Sequence, residues 1–323
     1  MWRARVAIGY FSTFDEEAAG VQILLTNDDG IFAPGLAAME RRLRELGDVC
    51  VVAPATEQSG VSHSITFLTP LIVKDVYQGD KRWGWAVEGS PADCVKIAVS
   101  ELCPRVPDLV VSGINGGLNA GINVLYSGTV AAAIEGAFFG ITSVAVSLEF
   151  DEHAQYDRAA RLAGHVIERI IEHPDSKGQL YNLNIPTEAV EEPFTEEKLS
   201  SDQSLVQTVP MDVTLYGDEY ERRTDPWGRD YYWATGRPPA VVGTETDLSA
   251  LARGHVTLTP LCYDMTNRAS LEKMKDWNLH PDPATLIESE SSRVNTCDQS
   301  GEGNHVPVVR SMRRMQGTSP ESE

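Results

Sequence analysis

Val21-Gln22-Ile23-Leu24-Leu25-Thr26-Asn27-Asp28-Asp29-Gly30 opens the ordered pattern of the chain. A short, mostly apolar run ends in a polar turn, which reads as a buried strand carrying its last residues to one end of a sheet. Pro34 stands where a first helical turn begins, and Leu36, Met39, Leu43 and Leu46 follow at helical spacing. Residues 48–54 then read as a second strand. Strand, helix and strand in this order make a parallel βαβ unit.

The alternation continues outward from that unit. Helices are expected at residues 91–102, 130–139 and 155–172, and strands at 108–112, 142–148 and 180–185. Past Pro186 the character changes. Residues 187–204 are acidic and irregular, and a Tyr- and Trp-rich stretch follows with turn signals at Asp225-Pro226-Trp227-Gly228 and Arg237-Pro238-Pro239. This reads as a β-rich, hairpin-like excursion over about residues 205–245. A strand at 254–260 and a last helix at 271–277 complete the pattern. Residues 1–20 are expected to be an extension, 21–280 one domain, and 281–323 a disordered tail poor in large apolar residues.

Composition narrows the function. The 323 residues carry 27 Lys and Arg against 47 Asp and Glu, a net charge of −20. Such a chain is not built to wrap a nucleic-acid polymer, whose binding rests on cations neutralising phosphates. A small phosphorylated ligand stays open, because a bound metal locally reverses the field. No run approaches the ~18 apolar residues of a membrane span, so no membrane partner is expected. Five scattered cysteines without a C-x-x-C pair suggest neither a disulfide framework nor a zinc site, and point to a cytoplasmic protein with reduced thiols.

In an open parallel sheet, ligands bind beyond the carboxyl ends of the strands. Three segments qualify. Asn27-Asp28-Asp29-Gly30 sets two carboxylates side by side, which repel each other unless a cation intervenes; capping the next helix accounts for one of them at best. The segment from Ala53 to Ser64 after the second strand is rich in hydroxyls, including Ser59, and otherwise reads as an exposed turn. The third runs from Ser112-Gly113-Ile114-Asn115-Gly116-Gly117 through Asn119 into Tyr126-Ser127-Gly128-Thr129. It is a set of turns, or a loop that brings Ser127, Gly128 and Thr129 to a helix N-terminus, where free N–H groups and the helix dipole favour a phosphate. It is not a Walker A loop, and no G-x-G-x-x-G follows the first strand. A G-x-S-x-G nucleophile elbow is missing too, so His63 is a residue that shapes its loop rather than the base of a serine hydrolase. Carboxylates, an amide and a hydroxyl are hard oxygen ligands suited to Mg²⁺, Mn²⁺ or Ca²⁺. Metal-assisted hydrolysis of a phosphate monoester follows as the reaction class.

These residues resemble the SurE family, the stationary-phase survival nucleotidases. The likeness runs through residues 23–35, Val52-Ala53-Pro54 with Ser59-Gly60, and His63-Ser64-Ile65-Thr66. It continues in residues 89–95, 111–115, 126–133, Asn182-Leu183-Asn184-Ile185-Pro186, 231–236, Thr246-Asp247 and 256–260, covering roughly residues 21–278. The resemblance implies a three-layer α/β/α, Rossmann-like, mostly parallel sheet with a β-rich C-terminal extension used in homodimer or homotetramer contacts. It implies hydrolysis of nucleoside 5′- and 3′-monophosphates, and in some members of short polyphosphate, with one divalent cation per subunit, Mg²⁺ or Mn²⁺. The family's metal ligands fall on Asp28, Asp29, Ser59 and Asn115, and its phosphate contacts on Asn119, Ser127, Gly128 and Thr129. Asn123 stands where an acidic residue is common, and Thr56-Glu57-Gln58 replaces a more basic approach to Ser59. In-line attack by water is expected, with Asp28 or Asp29 taking its proton; an aspartyl-phosphate route competes. A non-enzymatic nucleotide sensor is the rival from another class, one with no need of the paired carboxylates.

Overall fold

The computed structural model describes residues 20–192, 205–214, 219–235 and 245–281. The expected N-terminal extension before Gly20, the tail beyond Pro281 and the turn at Arg237-Pro238-Pro239 lie outside the described residues. Up to Tyr263 the chain forms one compact unit, and the residues from Asp264 form another.

The first unit is built on β1 (Val21–Thr26), α1 (Pro34–Leu43), β2 (Gly47–Pro54), β3 (Val73–Gln78), β4 (Lys81–Val87), α2 (Pro91–Ile97) and β5 (Leu109–Gly116). It continues with α3 (Gly128–Phe138), β6 (Thr142–Leu148), α4 (Tyr156–Glu172), β7 (Leu180–Ile185), α5 (Thr187–Val190) and β8 (Val206–Thr208). The last elements are β9 (Tyr220–Thr224), β10 (Asp230–Ala234), α6 (Asp247–Leu251) and β11 (Val256–Leu261), and the second unit carries α7 (Arg268–Met274). Nine strands form one sheet in the order β3-β4-β2-β1-β5-β6-β7-β11-β8. The run from β4 to β7 is parallel, whereas β3 pairs antiparallel with β4, and β11 with β7.

Alternate residues of the sheet feed two layers. Ile23, Leu25 and Val111 pack with Leu36, Met39 and Leu43 of α1 and Ala163 and Ile167 of α4. On the other face Leu24, Val52 and Val110 meet Cys94 and Val95 of α2 and Ala132 of α3. The three-layer α/β/α expectation is thus met, and β6, buried at every position, is the continuously covered strand such a fold requires. The β3–β4 pair is an element the sequence reading does not assign. It lies at the sheet edge and exposes Lys74, Asp75, Lys81 and Arg82. β5 also runs beyond its expected end, through Gly116.

One consequence of the strand order matters most. From β1 the chain builds outward to β2 and β4 on one side, then returns to place β5, β6 and β7 on the other. The order therefore reverses between β1 and β5, the crevice where open α/β sheets bind ligands.

Candidate active site

Asn27 shapes the end of β1. Its side chain donates to the Gly30 carbonyl at 3.0 Å and accepts from the Gly30 N–H at 3.2 Å. The resulting tight turn lifts Asp28 and Asp29 out of the sheet at the crevice. Asp28 is buried and accepts a short hydrogen bond from the Thr129 hydroxyl on the first turn of α3. The half-buried Asp29 accepts the Gly116 N–H on Oδ2 at 3.2 Å. Gly128 lets helix and carboxylate meet: a Cβ there would stand 2.9 Å from the Asp28 Cβ and 3.1 Å from its Oδ2.

Asn115 reaches the site through a bulge. Ser112 pairs with Ala145 and Asn115 with Ser147, so Gly113 and Ile114 together oppose the single residue Val146. Gly113 has φ +141°, and a Cβ on it would lie 2.3 Å from the Val146 carbonyl oxygen, so only glycine fits. The Asn115 amide nitrogen donates to the Gly117 carbonyl at 2.6 Å, leaving its Oδ1 as an acceptor. Ser59 is exposed on the loop after β2 and gives its hydroxyl hydrogen to Glu57 Oε1 at 2.5 Å. That loop is tied to the carboxylates where the Gln58 N–H donates to the Asp28 carbonyl at 2.8 Å.

Both carboxyls are raised above their ordinary values. Burial pushes the Asp28 carboxyl up to about 6; the Thr129 hydrogen bond opposes the rise and the neighbouring Asp29 adds to it. Asp29 is raised as well, by burial first, with the Gly116 N–H opposing and the Glu57 charge adding. Among the described residues neither carboxylate is in an ion pair with Lys, Arg or His. Nor do the described residues hold a cluster of three or more His, Cys, Asp or Glu side chains fit for a metal. The donor set is two carboxylates with neutral oxygens on Ser59 and Asn115, and it fits a hard divalent cation.

The four phosphate candidates divide. Ser127 caps α3, its Oγ accepting the Val130 N–H at 3.1 Å. Gly128 opens the helix. Thr129 turns both its hydroxyl and its N–H to Asp28, so part of the helix N-terminus supports a carboxylate. Asn119 is buried. Its Nδ2 donates to Ser147 Oγ at 2.8 Å and its N–H to Asn184 Oδ1 at 2.8 Å, while its carbonyl accepts from the amide nitrogens of Asn182 and Asn184. Two residues on, the Gly121 N–H donates to the buried Asp247 at 2.8 Å. Sequence reasoning missed these supports, although Asn182 and Asn184, two apart in an apolar strand, are the kind of buried polar pair that signals a loop anchor. It also missed Tyr156, whose phenol is raised by burial and by the nearby Asp29 charge.

A doubly wound α/β sheet with paired carboxylates and a helix N-terminus at its switch point is the architecture of an anion-handling protein. The Survival protein SurE family model matches residues 23–204, and the chain belongs to that family. It is 58% identical over 266 residues to the 5′-nucleotidase SurE of Rhodopirellula baltica, covering 81% of this chain and 100% of that protein. Identity to the 5′-nucleotidase SurE of Desulforudis audaxviator is 40% over 263 residues, 80% of this chain and 97% of that one. The crystal structure of the SurE protein from Aquifex aeolicus is 33% identical and superposes with a TM-score of 0.65 over 79% of this chain and 100% of that chain.

Proposed function

We propose that this chain is a divalent-metal-dependent phosphomonoesterase that hydrolyses nucleoside 5′- and 3′-monophosphates, with short polyphosphate as a further substrate. The carrying observation is the pair of buried Asp28 and half-buried Asp29, which no cationic side chain among the described residues answers, set beside the N-terminus of α3. The curated relatives, named 5′-nucleotidases, support the same reading. Asp28, Asp29, Ser59 Oγ and Asn115 Oδ1 would hold Mg²⁺ or Mn²⁺. When bound, such an ion supplies Lewis acidity and the positive charge that brings a phosphate dianion to an acidic protein.

The chain's own groups do the rest. The Ser127 hydroxyl and Gly128 N–H donate to phosphoryl oxygens, and the helix dipole favours the charge that shifts toward the leaving group. Asn119 Nδ2 keeps a second hydrogen for the same purpose. Thr129 serves the phosphate indirectly, by fixing Asp28. Asp29 is the base of choice: its Oδ1 receives no hydrogen bond from the described residues, whereas Asp28 Oδ1 is held by Thr129.

No helix among the described residues is long and apolar enough to cross a membrane. We assign the enzyme to the cytoplasm, in keeping with four free cysteines among the described residues. We assign it a homodimeric or homotetrameric state, with the β9–β10 hairpin as the contact element. That hairpin exposes Tyr231, Tyr232 and Trp233, with Trp227 in its turn. A dimer that survives deletion of residues 216–233 would count against the contact assignment.

The deciding assay measures inorganic phosphate released from AMP, GMP and their 3′ isomers with Mg²⁺ or Mn²⁺, for wild type and Asp29→Ala. Release that is lost with chelator and with Asp29→Ala is expected. Tight metal-dependent nucleotide binding without release would instead make the protein a sensor.

A further inference from the structure

Ser59 lies on the loop between β2 and β3, which has no secondary structure of its own to hold it. It is held from two sides: by the start of α2, where the Ser90 hydroxyl donates to the Ser64 carbonyl at 2.6 Å and Asp93 accepts the Thr66 N–H and hydroxyl at 2.9 and 2.7 Å, and by α3 and the residues before it. The Ser62 N–H donates to the Tyr126 carbonyl at 3.1 Å and its hydroxyl to the Leu125 carbonyl at 2.8 Å. These two bonds keep Ser62 at φ +54°, a conformation a non-glycine residue holds only when its surroundings dictate it. The next residue, His63, has Nε2 2.8 Å from Glu135 Oε2, and its ring stacks on Phe138 at 5.4 Å between centroids. Phe138 is backed edge-on by Tyr263 at 4.8 Å. Glu135 is buried and its other oxygen takes Lys96 Nζ at 3.0 Å. The carboxylate thus has two donors and a fixed place.

Glu135 and Thr129 belong to the same helix. At one end α3 holds Asp28 through Thr129; two turns later it holds the Ser59 loop through Glu135 and His63. We propose that His63 is a positioning residue for the metal site: through Glu135 it registers the Ser59 loop on α3, and so sets Ser59 relative to Asp28 and Asp29. The inference rests on the metal reading above, and assigns His63 no proton transfer.

The test titrates Mn²⁺ into the full-length protein by calorimetry, without substrate, for wild type, Asp29→Ala, His63→Ala, His63→Phe and His63→Gln. Removing a group that orients a metal ligand typically weakens metal binding about 10- to 100-fold. His63→Ala and His63→Phe are expected to do so, the second while keeping the stack on Phe138. His63→Gln, whose Nε2 hydrogen can reach the same Glu135 oxygen, is expected to stay within about threefold of wild type. With saturating Mn²⁺, kcat for AMP should return to near the wild-type value in His63→Phe, because excess ion restores the populated site. If His63→Ala does not fold, His63→Phe carries the test. An unchanged Mn²⁺ affinity in His63→Phe overturns the inference, and so does a kcat that stays low in both His63→Phe and His63→Gln at saturating metal, the mark of proton transfer. Equal Mn²⁺ binding by wild type and Asp29→Ala overturns the metal reading itself, a result distinct from any effect of His63.

Discussion

The hydroxyl of Thr129, on the first turn of α3, donates to the carboxylate of Asp28, in the turn just past β1 and 101 residues earlier in the chain. The bond joins the two halves of the sheet across its switch point. Through it a residue of the phosphate-type loop becomes a support for the carboxylate pair.

Thr129→Val keeps the shape and removes the donor. A hydrogen bond to a buried charged group contributes about 1.5–3 kcal/mol. Urea unfolding at neutral pH should show a loss of that order, accompanied by a large drop in phosphate release. Full activity in Thr129→Val would show that Asp28 does not need this bond.

Gly128→Ala places a methyl group 2.9 Å from the Asp28 Cβ and 3.2 Å from Pro91 Cγ. Overpacking of this kind costs about 1–3 kcal/mol, offset by the roughly 1 kcal/mol helix preference of Ala over Gly. The melting temperature should therefore shift little while activity falls at least tenfold. A variant with wild-type turnover would mean that the carboxylate has room to move.

Asp247 accepts the N–H groups of Gly121, Asp212 and Leu248, each at 2.8 Å, and is fully buried. Asp247→Ala leaves the buried Gly121 N–H and the part-buried Asp212 and Leu248 N–H groups without this partner, and is expected to cost about 3 kcal/mol. Asp247→Asn, which retains an acceptor, should cost less. Chemical denaturation of the two variants side by side checks the order, and equal stabilities would refute it.

Burial pushes the Glu135 carboxyl up, but the hydrogen bonds and charges of His63 and Lys96 outweigh it and hold the group below the ordinary range. A carboxyl depressed in the fold stabilises it above its unfolded pKa, and that contribution is lost as pH falls through the folded value. Wild type should thus exceed Glu135→Gln in stability at neutral pH, with the gap closing below the ordinary glutamate pKa of about 4.3. Melting curves at stepped pH read the gap directly; a constant gap would deny Glu135 its charged role.

The legible parts of the fold were those with a one-dimensional signature. The strands at residues 142–148 and 180–185 coincide with β6 and β7, because each is a mostly apolar run between clear breaks. The β3–β4 hairpin escaped notice because an edge strand such as Val73–Gln78 has little apolar face, and its exposed charges look like loop. Within the site, residue chemistry at a strand end singled out the Asp28–Asp29 pair as one that calls for a cation, whereas Ser59 and Asn115 entered as candidate ligands through the family resemblance. The roles of Thr129, Asn184 and Asp247 could not be read, since each is defined by a partner 65 or more residues away.

The separation between Asp28 and Thr129 also sets a schedule. At a synthesis rate of about 5–20 residues per second, Asp28 leaves the ribosome roughly 5–20 s before its donor does. Over that interval β2 and then β5 are made while α3 is still missing, so the nascent chain carries the carboxylate pair without the helix that encloses Asp28. The site is therefore a late event in the making of the molecule. A growing chain short of α3 holds the two carboxylates but not the helix that fixes Asp28.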